Sequence, residues 1–74
     1  MYIVIEIQTN ADGTVGTIVN TYASQPQAES KYHTILAAAA LSAVPVHAAV
    51  ILTNDGRMVS FQSYDHRPPE PEAE

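Results

Sequence analysis

The chain has no cysteine and no tryptophan, and only three of its 74 residues are Lys or Arg. Without cysteine there is no disulfide and no thiolate metal site. Two of the cations, Lys31 and Arg57, stand in the first 66 residues against Glu6, Asp12, Glu29, Asp55 and Asp65. Two cations cannot supply the phosphate contacts that drive DNA or RNA binding, so no nucleic-acid partner is expected. The net charge of −5 argues against an anionic membrane surface as well. Long apolar runs are missing: residues 35–50 are interrupted by Ser42, Pro45 and His47, so no membrane span is expected. The first residues lack the basic stretch of a secretory signal, which with the absent cysteine points to an intracellular protein.

Catalytic patterns are missing too. His33, His47 and His66 have no metal-binding spacing. There is no G-x-S-x-G, and Ser24, Ser30, Ser42, Ser60 and Ser63 read as caps or surface residues. Glu6 is the one acid inside an expected strand, so no acid–base pair of carboxylates is apparent. Gly13, Gly16 and Gly56 read as turn and strand glycines, not as a phosphate loop. No enzyme, metal or cofactor is expected.

What is present is a clear order of elements. Residues 2–8 (YIVIEIQ) alternate as a strand, with Ile3, Ile5 and Ile7 on one side and Tyr2, Val4, Glu6 and Gln8 on the other. The isoleucine side is the expected core face. Asn10-Ala11-Asp12-Gly13 is a turn, and residues 15–22 form the returning strand, with both sides partly apolar. Ser24 followed by Gln27, with Pro26 in the first turn, marks a helix start. The helix is expected over residues 25–42, ended by Pro45. Residues 46–53 and 58–64 are strands joined at Asn54-Asp55-Gly56. In the last strand Val59 and Phe61 share one side, and Met58, Ser60, Gln62 and Tyr64 the other. The expectation is an α+β fold, ββαββ, with one helix on one face of a four-stranded antiparallel sheet. Residues 1–66 make the domain; residues 67–74 (RPPEPEAE) hold no large apolar residue and read as a disordered tail.

The helix has two weakly polar faces. At 100° per residue, Ala28, Tyr32, Ile35, Leu36, Ala39 and Ala43 fall on one stripe for the sheet. Ala37, Ala38 and Leu41 lie opposite, and no charge follows Thr34 until Asp55. A domain of this size without disulfide or metal has a marginal core. A homo-oligomer is therefore expected, with Ala37, Ala38 and Leu41 as its contact. The sheet face away from the helix, with Tyr2, Val4, Ile18, Tyr22, Met58 and Tyr64, is expected to stay partly apolar and uncovered.

The densest polar segment is on the first turns of the helix. Lys31, Tyr32, His33 and Thr34, near a helix N-terminus and with Arg57 from the second hairpin, form a candidate site for an anionic or nucleotide-like ligand. In the segments YIVIEIQTNADGTVG and QAESKYHTILAAAA, and in the closing SYDH, the chain resembles a family of short proteins of bacteriophages and prophages of gut Firmicutes. The resemblance spans about residues 1–66 and implies a phage setting without catalytic residues. It suggests an accessory protein in the host cytoplasm that oligomerises and sequesters a small nucleotide-like signal, opposing host defence. The alternative is a minor virion or assembly protein acting only through self-association.

Overall fold

Two hairpins of the same construction flank one helix in a computed structural model that describes residues 1–67. Strands β1 (Tyr2–Thr9) and β2 (Val15–Tyr22) form the first hairpin, and β3 (Val46–Thr53) and β4 (Met58–Asp65) the second. Each turn is closed by two backbone hydrogen bonds. The N–H groups of Asn10 and Gly13 donate to Thr14 and Asn10, and those of Thr53 and Gly56 to Arg57 and Thr53. Gly13 and Gly56 sit at φ 88° and 90°, a region that costs any other L-residue energy, so each glycine is required by its turn. The hairpins meet through β1 and β3, giving an antiparallel sheet in the order β2-β1-β3-β4. The expected ββαββ, α+β architecture is thus observed. Beyond Arg67, the expected tail lies outside the described residues. Among the described residues, no helix is long and apolar enough to cross a membrane.

Helix α1 (Gln25–Ala40) starts where the Ser24 hydroxyl accepts from the Gln27 N–H at 3.4 Å. It lies chiefly over β3 and β1. Ala28, Tyr32, Ile35 and Ala39 face the sheet and are buried, while Leu36 is partly buried against the same core. The alanines, both fully buried, let the helix axis approach the strands closely. Ala43 does not continue this stripe; the helix has ended by then, and Ala43 is exposed in the loop before Pro45. The last turn is tied to the far side of the fold, because the His66 ring Nε2 donates to the Ala39 carbonyl at 2.7 Å.

The sheet face beneath the helix is the reverse of the expected one. Val4, Ala49 and Ile51 are its buried centre, with Tyr2, Tyr22 and Val59 packed around them. In β1 the set Tyr2, Val4, Glu6 and Gln8 therefore faces the helix, and Ile3, Ile5 and Ile7 face away. The more hydrophobic set was the natural choice for the core only if one face alone needed covering. A second correction concerns β4. A bulge opposite Ile51 and Leu52 turns Val59 toward the helix, while Met58 pairs with Leu52 and joins the other face with Phe61.

Candidate functional site

Three polar residues come together under the helix. Glu6 and Gln8 follow each other on the helix-facing side of β1, and His47 on β3 pairs with Gln8. Glu6 and His47 are thus diagonal neighbours across the central strand pair. The His47 Nε2 lies 2.6 Å from Glu6 Oε2, and Gln8 Nε2 donates to the same oxygen at 2.9 Å. Their side chains are 5% and 15% exposed for His47 and Glu6. Burial by itself pushes the Glu6 carboxyl up. The hydrogen bonds from Gln8 and His47, with the charges of His47 and Lys31, outweigh burial and hold it below its ordinary value. The His47 Nδ1 is buried and has no hydrogen-bond partner among the described residues. A carboxylate that fixes an imidazole is half of a proton-transfer device. Here the imidazole is enclosed, and its second nitrogen meets neither a hydroxyl nor a thiol. The contact joins β1 to β3.

Sequence reasoning singled out Glu6 and His47 separately and missed the pair, which joins residues 41 positions apart. The signal was present: Glu6, Gln8 and His47 are polar residues inside otherwise apolar strands.

The expected ligand residues are only partly gathered. Lys31 is half-buried and close enough to Glu6 to stabilise its carboxylate. Tyr32 is 6% exposed and belongs to the core, where burial and the neighbouring Tyr64 raise its hydroxyl pKa. His33 stands exposed with its ring edge-on to Tyr32 at 5.4 Å. Thr34 is also exposed, its hydroxyl turned back to the Ser30 carbonyl at 2.9 Å. Arg57 is exposed in the β3–β4 turn, where its backbone pairs with Thr53. A surface cleft of about 440 Å³ lies elsewhere, between the β1–β2 turn, the loop after α1 and His66 with Arg67. None of the expected ligand residues lines that cleft. Arg67 of this cleft donates to Asp65, and this hydrogen bond is the first cause that lowers the Asp65 carboxyl to about 2. Among the described residues, no three His, Cys, Asp or Glu side chains come together as a metal site.

The largest feature is the uncovered sheet face. Ile3, Ile5 and Ile7 are flanked there by Val15 and Val19 of β2, by Val46, Val50 and Leu52 of β3, and by Met58 and Phe61 of β4. Val15, Val19, Met58 and Phe61 are 60%, 59%, 56% and 65% exposed. Among the described residues of the four strands, Asp65 at the end of the edge strand β4 is the one charge on this face. The expected open-face residues Tyr2, Val4, Ile18, Tyr22 and Tyr64 lie on the helix side instead; Met58 alone of that set is found here. Ala37, Ala38 and Leu41 are exposed on the outer side of the helix region, Leu41 at 92%.

Comparison with protein families, with curated proteins and with solved structures finds no match to this chain.

Proposed function

We propose that the protein is a non-catalytic accessory protein, in the phage setting that its sequence resembles, and that it works as a homo-oligomer assembled through the bare face of its sheet. One observation carries this reading: the apolar, almost uncharged face opposite the helix. The four most exposed side chains alone present on the order of 400 Å², as much as the largest apolar patch of a typical monomer, and the half-buried Ile and Val residues extend it. A sheet face of this kind is stable in water when a second sheet packs on it at a spacing of about 10 Å. A second copy fits as the partner. Among the described residues, Asp12 and Asp55 lie in turns, Glu29 in the helix and Glu6 on the helix side of β1, so two such faces meet with little repulsion.

Size exclusion with light scattering on the full chain tests it. The expected mass exceeds the 8.0 kDa of one chain, and Phe61→Glu lowers it. Phe61 is 65% exposed in the single chain, so the substitution leaves the core intact. Ala38→Glu and Leu41→Glu should leave the mass unchanged. A wild-type mass of 8.0 kDa at micromolar concentration rejects self-association. Dissociation by Leu41→Glu but not by Phe61→Glu moves the contact to the helix.

Sequestration of a nucleotide-like ligand is a second reading, favoured by the exposed His33 and Thr34 beside Lys31. A ligand that binds only the folded state raises the melting temperature by mass action. A cyclic or ADP-ribose-type nucleotide should then shift the melt of the wild type and not that of Lys31→Ala. No shift in either protein discards this role.

A further inference from the structure

The two edges of the sheet are not alike. A bare strand edge is a template for another strand, and proteins guard such edges with charge, proline or a bulge. On β4 the register is broken by a bulge, and the strand ends in Asp65 with Arg67 paired to it. On β2 the register against β1 runs unbroken from Val15 to Tyr22, and the strand VGTIVNTY holds no charge and no proline. The helix gives β2 little cover: Ile18, on the helix side, is 52% exposed.

The free backbone groups of this edge can be read from the turn. Asn10 donates to Thr14, so these two form a hydrogen-bonded pair. Hydrogen-bonded and non-hydrogen-bonded pairs alternate along an antiparallel ladder. Gly16, Ile18, Asn20 and Tyr22 therefore bond to β1, and Val15, Thr17, Val19 and Thr21 point their N–H and C=O groups outward. This outward set is symmetric about Ile18.

We propose that β2 pairs antiparallel with β2 of a second copy about a twofold axis at Ile18, fusing two sheets into one of eight strands. The register satisfies both conditions of such a seam. Outward groups meet outward groups, Val15 with Thr21 and Thr17 with Val19, and residues opposite each other share a face. About eight backbone hydrogen bonds close the seam. At its centre the two Ile18 side chains oppose each other in a non-hydrogen-bonded pair, where side chains approach most closely, which covers the apolar surface the helix leaves open. The strand is neutral, so a second copy meets no charge opposition along it. Edge pairing extends the sheet in its own plane and leaves the apolar face free for the contact proposed above, so the two contacts together close a tetramer.

The test uses the full chain and one substitution per contact. Ile18→Lys places two like charges at the seam without touching the apolar face, and Ile18 is already half in water. The wild type should run at about 32 kDa, four times the chain's 8.0 kDa. Ile18→Lys and Phe61→Glu should each halve that mass, and the double variant should fall to 8.0 kDa. A Phe61→Glu variant that is already a single chain, or an Ile18→Lys variant with wild-type mass, overturns the seam. A wild type that Phe61→Glu leaves unchanged but Ile18→Lys converts to single chains supports the seam and rejects the face contact. Amide exchange gives a second measure. In Phe61→Glu, Thr17, Val19 and Thr21 should exchange as slowly as Ile18 and Asn20, and they should speed up at least tenfold when Ile18→Lys is added. If slow and fast amides alternate along β2 in the purified protein, the edge is free or is reserved for a strand of another protein, and the proposal fails.

Discussion

Glu6 is the residue whose chemistry reaches furthest. Its carboxyl titrates below the ordinary value of 4.5 in the folded protein, so the folded state holds the carboxylate more tightly than the unfolded chain does. That contribution to stability is complete above the unfolded value and is lost as pH falls through the folded one. Glu6→Gln should cost on the order of 2 kcal/mol at pH 7, because the buried His47 loses its charged acceptor. The gap should narrow at acid pH, once the wild-type carboxyl, which titrates below 4.5, is itself protonated. Urea unfolding of both proteins at the two pH values measures this; an equal gap at both would remove the carboxylate from the explanation. The residue-level signal was legible in part. Glu6 and His47 stand out in apolar strands, but their contact depends on the β1–β3 register, which local sequence does not encode. Tyr32 was legible through helix geometry: beside Lys31 in a segment rich in functional groups, the 100° step of the helix carries its phenol into the core, on the stripe expected for the sheet.

At the scale of elements the sequence was a good guide, for local reasons. Asn10-Ala11-Asp12-Gly13 and Asn54-Asp55-Gly56 specify turns by backbone conformation alone, and Ser24 with Pro26 specifies a helix start. The strands follow from alternation between those marks. The helix ends at Ala40, two residues before the expected end: Leu41 leaves the helical region at φ −112° and ψ 7°, and the N–H groups of Leu41 and Ser42 tighten onto the carbonyls of Ala38 and Ala39. Two features were not legible. The bulge in β4 puts Val59 and Phe61, expected on one side, on opposite faces, and nothing local announces an inserted residue. The choice of face for β1 was missed because a strand shows which residues share a side, not which side the helix will take. That choice was made by β3, whose Ala49 and Ile51 supply the close approach and the bulk under Tyr32 and Ile35.

For the whole molecule, the apolar content that makes the sequence look ample for its size is spread over two faces, and one helix covers only one of them. The topology has a further consequence, in time. Each hairpin closes locally, through the pairs Asn10–Thr14 and Thr53–Arg57, whereas β1 meets β3 only across the first turn, β2 and the helix. Local loops close fast and distant contacts slowly, so refolding is limited by the meeting of two hairpins that are already formed. Val4, fully buried and paired with Ile51 on that seam, belongs to the slow step. In the Ile18→Lys, Phe61→Glu background, where both contacts between copies are removed, Val4→Ala should slow refolding severalfold in stopped-flow measurements. An unchanged refolding rate with faster unfolding would place the meeting of the hairpins after the barrier. The chain then behaves as two prefabricated ribbons tethered by a helix, and the pace of its folding is the pace at which they find each other.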